Sequence, residues 1–148
     1  MASLQVLLLG LCLALVHTGV QGKTFGRCEL ARTLRNKYHV DGWAGSTLGD
    51  WVCLTQAESS YQTNVTHKNT DKSIDYGIFQ INNHYWCEDG KGGYNGCNVQ
   101  CSELLNPNIE ASVMCAKIVM QKQGLKAWYG WQYKCRGKDV QVYIRGCF

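Results

Sequence analysis

The sequence predicts an α+β fold with two lobes, on three observations. Apolar residues at helical spacing occupy both flanks of the chain, an alternating pattern broken by a polar turn occupies its middle, and cysteines run through all of it. At 148 residues, without repeat, low-complexity stretch or linker and with one proline, the chain reads as one domain.

The first 22 residues stand apart from that domain. Val6 to Val16 reads VLLLGLCLALV, an apolar run too short to cross a bilayer as a helix. Small or neutral residues follow at Val20-Gln21-Gly22, as a cleavage site needs, although only the terminal amine supplies the basic n-region. Residues 1–22 are therefore expected to be a cleaved signal peptide and 23–148 the mature, secreted domain. No later segment is apolar enough to serve as a membrane anchor.

Of nine cysteines, Cys12 leaves with the signal. Cys28, Cys53, Cys87, Cys97, Cys101, Cys115, Cys135 and Cys147 remain, an even set that in a secretory chain implies disulfides. Their order alone leaves on the order of a hundred pairings open. Zinc is a poor alternative: Cys97-x3-Cys101 has no second close pair to complete a tetrahedron. The 15 Lys and Arg against 11 Asp and Glu all lie in the mature part, giving it a net charge of +4. That favours anionic targets such as bacterial envelopes. The basic residues are scattered, so nucleic-acid binding has no support.

Each element has a local signal. In Cys28-Glu-Leu-Ala-Arg-Thr-Leu-Arg35, Leu30 and Leu34 share a helical face. Thr47-Leu-Gly-Asp50 has the form of a capping box, with Asp in place of Glu, and opens a second helix. Along it Trp51, Leu54 and Glu58 recur on one face. Residues 61–66 and 73–82 are expected as strands around a polar tip at 67–72. In the second strand Ile74, Tyr76 and Ile78 should point one way, and Asp75, Gly77 and Phe79 the other. Residues 82–96 are irregular and glycine-rich. Ile109, Val113, Ala116 and Met120 mark a third long helix, with Pro107 near its first turn and Gly124 at its end. Short helices are expected over 126–133 and 139–144.

Among the acidic residues Glu58 is distinctive, because it ends a helix whose face is otherwise apolar. Partial burial disfavours the charged form and raises a carboxyl pKa. Asp75 lies in a strand near the amides of Gln80 and Asn82, which can hydrogen-bond a carboxylate. Two carboxyls in unlike surroundings are what glycoside hydrolysis needs. Local environment alone does not single out this pair.

Longer motifs do. Lys23-Thr-Phe-Gly-Arg-Cys-Glu-Leu-Ala-Arg32, Asp50-Trp-Val-Cys-Leu-Thr-Gln-Ala-Glu-Ser59, Asn69-Thr-Asp-Lys-Ser-Ile-Asp-Tyr-Gly-Ile-Phe-Gln-Ile-Asn82 and Ile144-Arg-Gly-Cys147 resemble, in order, the c-type (chicken-type) lysozymes. The resemblance runs through the whole mature chain and keeps all eight cysteines. It implies a helical lobe (23–58 and 106–148), a β lobe (59–105) and a cleft between them. It implies the pairs Cys28–Cys147, Cys53–Cys135, Cys87–Cys101 and Cys97–Cys115. It also implies a monomeric, cofactor-free muramidase that cuts β-1,4 bonds of bacterial peptidoglycan with retention and binds chitooligosaccharides. Glu58 and Asp75 would be the catalytic carboxyls. Asn69, Asn82, Tyr85, Trp86, Ala127 and Trp128 would meet the sugar, with Trp128 pressing on Glu58. Trp51, Trp128 and Trp131 are expected mostly in the core.

The departures lie on the cleft rim. Tyr85-Trp86 stands where the family often has two tryptophans, the loop from Cys87 to Cys97 is shorter, and Gln121-Lys122 stands where an acidic rim residue is common. Lys72 replaces a frequent glycine at the hairpin tip. The calcium-binding loop of some relatives corresponds to Leu104–Ser112, which offers Glu110 as its one carboxylate, so no metal site is expected. Asn64-Val-Thr66 is a candidate N-glycosylation acceptor. Two readings compete with the enzyme. A lysozyme-like sugar- or cell-binding protein with weak or no catalysis would normally have lost a carboxyl. A lactalbumin-like regulatory subunit would need the calcium ligands.

Overall fold

The computed structural model describes residues 21–148. The signal peptide expected over 1–22 falls outside them, save for Gln21 and Gly22. Four α-helices, α1 (Arg27–Asn36), α2 (Leu48–Ser59), α3 (Glu110–Gln123) and α4 (Tyr129–Lys134), accompany a small antiparallel sheet of β1 (Thr66–Lys68), β2 (Ile74–Tyr76) and β3 (Ile81–Asn82). Short 3-10 turns lie at Trp43–Gly45, Cys101–Leu105, Leu125–Ala127 and Val140–Tyr143. The fold is α+β, as the sequence predicts.

The helix signals act where they stand. Leu30, Ala31 and Leu34 of α1 are buried, and Glu29 accepts from the Gly26 N–H at 3.2 Å to close the first turn. At α2 the Asp50 N–H donates to Thr47 Oγ1 (3.2 Å) while the Thr47 N–H donates to Asp50 Oδ2 (3.0 Å), the reciprocal cap its sequence announces. α2 is buried on most sides, not along one stripe. It is the central helix, packed by α1, α4 and the Val140–Tyr143 turn. Gly49 permits the last of these, since a Cβ there would stand 2.6 Å from the Val140 carbonyl oxygen.

The strands differ from expectation in a way that builds the cleft. Residues 61–63 do not join the hairpin; they pair with residues 23–25. Phe25 N–H donates to the Tyr61 carbonyl (3.0 Å), Thr63 N–H to the Lys23 carbonyl (2.9 Å), and Thr24 bridges Gln62. His67 and Lys68 are strand, and the tip is Asn69–Ser73, where Asn69 N–H donates to the Ser73 carbonyl (2.9 Å). Lys72 there has φ +71°, a left-handed conformation that costs a non-glycine residue about 1 kcal/mol.

The second expected strand breaks after Tyr76. Gly77 (φ +76°) and Gln80 (φ +49°) turn the chain, so Ile78 and Phe79 both enter the core and the alternation is lost. Tertiary packing overrides the local pattern, because both side chains find buried sites against the helical lobe. Smaller shifts follow the same logic. Trp128 is extended (φ −106°, ψ 115°) and divides the helix expected over 126–133. Pro107 lies before the N-cap of α3, outside the helix.

The four disulfides join Cys28–Cys147, Cys53–Cys135, Cys87–Cys101 and Cys97–Cys115. The first two join residues of the helical lobe across sequence separations of 119 and 82. The last two fasten the irregular segment after β3, one of them to α3. Each such crosslink stabilises by about 2–5 kcal/mol, chiefly by restricting the unfolded chain.

Gly77 is tightly confined. A Cβ there would sit 1.9 Å from the Leu104 carbonyl oxygen, at a φ that side chains avoid. Gly77→Ala should therefore destabilise the domain by more than about 2 kcal/mol in urea titrations. A loss below about 0.5 kcal/mol would show that the turn is free to move.

Candidate active site

The turn at 77–80 is where the two lobes meet. Ser59, next to Glu58 on α2, donates its hydroxyl to the Ile78 carbonyl at 2.8 Å. Trp128 donates its indole N–H to the Phe79 carbonyl at 2.8 Å. Phe79 packs edge-on against Trp51 of α2, with ring centroids 5.7 Å apart. β2, carrying Asp75, and β3, carrying Asn82, leave the two ends of this turn. Glu58 and Asp75 thus face one space from opposite lobes.

That space is a cleft of about 710 Å³. Glu58, Asn69, Asp75, Asn82, Tyr85, Trp86, Ala127 and Trp128 all line it, so the structure brings together every catalytic and sugar-contacting residue named from the sequence. His67, Asp71, Ser73, Gln123 and Tyr129 line it as well and were not anticipated.

Glu58 is half-buried near the C-terminal end of α2. One oxygen, Oε1, accepts the Gly130 N–H at 2.9 Å. A Cβ at Gly130 would lie 2.5 Å from that oxygen, so the glycine lets α4 approach the carboxyl. Burial pushes the Glu58 pKa above its ordinary value. The Gly130 N–H opposes this, the negative charge of Asp75 adds to it, and Lys134 opposes it weakly.

Asp75 has different surroundings. Asn69 Nδ2 donates to its Oδ2 at 2.9 Å and Asn82 Nδ2 to its Oδ1 at 2.8 Å. Asn82 is its cross-strand partner in the β2–β3 register, which is why the sequence could point to that amide. Gln80 is a correction: its amide donates to the Val65 and Gly77 carbonyls and braces the turn. Asn69 takes the expected place of Gln80.

The hub that sequence reasoning missed is Ser73, which is buried. Its Oγ accepts from both Asn69 (3.0 Å) and Asn82 (2.9 Å) and donates to Asp71 Oδ1 at 2.6 Å. The only signal was the Asp71-x-Ser73 turn pattern. Asp71, exposed at the tip, is held below the usual carboxyl range, first by the Ser73 hydroxyl and then by the Ser73 N–H.

The rim departures are placed too. Tyr85 is 57% exposed at the cleft edge, Trp86 is half-buried beside it, and Lys122 Nζ lies 5.9 Å from the Trp86 ring centroid. Trp51 and Trp128 are buried, and Trp131 is partly so. Asn64 is exposed just before β1. In the Leu104–Ser112 segment the Asn106 and Asn108 side-chain oxygens accept backbone N–H groups, and Glu110 faces Lys37 at 3.9 Å. Among the described residues no cluster of His, Cys, Asp and Glu is suited to hold a metal ion, and no helix is long and apolar enough to cross a membrane.

The family model of the C-type lysozyme/alpha-lactalbumin family matches residues 23–147. The chain belongs to this family. Among its lysozyme relatives, Lysozyme C, intestinal isozyme, of Bos taurus is 54% identical over 96% of this chain and 97% of its own length. Lysozyme C of Macaca mulatta is 50% identical over the same shares. Lysozyme C-3 of Bos taurus is 50% identical over 89% of this chain and 91% of its own. The matched span of the C-type lysozyme family begins at Lys23 and includes the whole cleft.

Because burial raises the Glu58 pKa, the folded chain keeps a proton that the unfolded chain releases. The stability this contributes is complete below the ordinary value of 4.5 and is lost as pH rises through the raised value. Glu58→Gln removes that loss. Its stability relative to the parent should increase between about pH 4 and about pH 7 in paired denaturant titrations. A difference that does not change with pH would mean that the carboxyl is not desolvated.

Proposed function

We propose that the mature domain is a secreted muramidase, hydrolysing the β-1,4 bond between N-acetylmuramic acid and N-acetylglucosamine in bacterial peptidoglycan with retention. The broader class, a lysozyme-type glycoside hydrolase, rests on family membership and on lysozyme C relatives at 50–54% identity over 96% of the chain. The finer reading is carried by one observation: a desolvated carboxyl and a carboxylate hydrogen-bonded on both oxygens face the same cleft.

Retaining glycosidases, of which lysozyme is itself the type case, use such a pair in two steps. Glu58, holding its proton, gives it to the glycosidic oxygen as the C–O bond breaks. Asp75 stabilises the developing oxocarbenium ion and bonds to the anomeric carbon. Water then attacks that carbon, returns a proton to Glu58 and releases Asp75. Asn69, Asn82 and Ser73 hold the Asp75 carboxylate in place for attack. Tyr85 and Trp86 offer faces for sugar rings, and Ala127 a backbone contact. Trp128 joins the wall on the Glu58 side, where it helps keep the acid protonated. The net charge of +4 favours approach to an anionic wall.

One chain supplies the whole cleft, so a monomer suffices. Asn64 stands exposed on the β lobe, outside the cleft lining but three residues before His67, which lines it, so an N-glycan there would sit on the β lobe near the cleft.

Glu58→Gln should lower the rate of bacterial wall lysis by at least about a hundredfold, measured at low ionic strength. Asp75→Asn should do the same, with chitooligosaccharide binding kept in both. Activity should fall as pH rises through the raised Glu58 pKa, the limb on which the acid loses its proton. A parent protein that binds chitooligosaccharide yet never clears cell walls would instead be a sugar-binding relative.

A further inference from the structure

The sheet runs β1-β2-β3, so β1 lies at its edge, and Thr66, His67 and Lys68 are all exposed. The Gly77 N–H donates to the Val65 carbonyl (2.8 Å) and the Asn69 N–H to the Ser73 carbonyl (2.9 Å). With His67 opposite Asp75, residues 65, 67 and 69 turn their backbone groups toward β2. The alternation of an antiparallel ladder then turns those of Thr66 and Lys68 outward. An outward row of this kind is a template on which a second chain can pair. Lys68 puts a charge on that edge, but Thr66 does not.

The triplet Asn64-Val-Thr66 leads into this edge. No proline interrupts it, and Asn64 is exposed outside the cleft lining. The Asn64 side chain lies against Gly22, where a Cβ would stand 2.0 Å from Asn64 Cγ. Pairing of the next residue brings Gly22 there. The Lys23 N–H donates to Thr63 Oγ1 (2.9 Å), and the Thr63 N–H donates to the Lys23 carbonyl (2.9 Å). Gly22 is also the last residue expected to leave with the signal peptide. Cleavage after it uncovers the Asn64 amide and opens space beside the free edge.

We propose that Asn64 carries an N-linked glycan and that this glycan covers the free edge of β1, keeping copies of the chain from pairing through it. In the transfer, Asn64 Nδ2 forms a C–N bond to the anomeric carbon of an oligosaccharide carried on a lipid diphosphate. The C–O bond to that diphosphate breaks, the lipid diphosphate leaves with the electron pair, and Nδ2 gives up a proton. The Thr66 hydroxyl completes the acceptor triplet. A glycan is bulky and solubilising. Attached just before β1, it fills the volume an incoming strand needs, roughly 4.8 Å from the edge. The inference depends on passage of the chain through a secretory route and not on the chemistry of the cleft.

Expression of the full chain in cultured animal cells tests it. The secreted protein should begin at Lys23 and lose mass on treatment with peptide N-glycosidase. Asn64→Gln and Thr66→Ala should abolish that loss, and Thr66→Ser should keep it. With each protein held equally far below its own unfolding midpoint, Asn64→Gln should form thioflavin-binding aggregates at least about twofold faster than the glycosylated parent. Adding Thr66→Lys to Asn64→Gln, which charges the bare edge, should restore the slow rate. A parent that is not secreted, or whose mass the glycosidase leaves unchanged, overturns the proposal. Equal aggregation rates with and without the glycan overturn it as well. So does faster aggregation that Thr66→Lys fails to slow, since a glycan acting only on general solubility needs no edge. A glycosylated chain that still carries Gly22 would overturn the uncovering of Asn64 by cleavage.

Discussion

The docking of the 77–80 turn onto the C-terminal end of α2 governs the rest of the structure. Two hydrogen bonds, Ser59 to Ile78 and Trp128 to Phe79, and the Trp51–Phe79 contact hold a tight turn of the β lobe against the helical lobe. Each bond uses a backbone carbonyl that burial would otherwise leave unsatisfied, so slipping the turn would strand those groups at a cost of about 1–3 kcal/mol each. The same turn sets where β2 and β3 begin. Glu58 adjoins Ser59 and Asp75 lies two residues before Gly77, so one local constraint fixes both carboxyls across the cleft.

That arrangement also separates the environments of the two acids. Glu58 emerges from a helix buried on most sides and meets α4 at Gly130, whose single N–H only partly offsets lost solvation. Asp75 sits on a half-exposed sheet of three short strands, where side-chain amides reach both its oxygens. The helical lobe supplies desolvation and the β lobe supplies polar donors. The unlike surroundings of Glu58 and Asp75 follow from which lobe each residue occupies.

The cleft's centre is braced more heavily than its rim. Asp75 belongs to a network that runs through Asn69, Asn82 and Ser73 to Asp71. Tyr85, Tyr94 and Lys122 are exposed. Substitution at the rim therefore disturbs little packing, and the departures of this chain from its family gather there. The carboxylate at the centre of the cleft is held by buried polar contacts, while the rim is formed by exposed side chains.

Much of this was legible in the sequence. Leu30 and Leu34, the Thr47–Asp50 cap, the period of Ile109 to Met120 and the cysteine set are local signals. They act through backbone geometry and burial over a few residues, and α1, α2 and α3 formed where those signals stand. The family motifs named Glu58, Asp75 and the residues expected to meet sugar, and these line one cleft. The strands were read less well, since residues 61–63 pair with residues 23–25 and the break at Gly77 depends on Leu104, distant in sequence. Ser73 as hub, Asn69 in place of Gln80, and Gly130 against Glu58 were decided only by tertiary structure. Such contacts join residues whose proximity no local pattern encodes. Sequence by itself determined which side chains were available and which helices would carry them; the docking of the two lobes decided which would touch, because hydrogen-bond partners are chosen by distance in space.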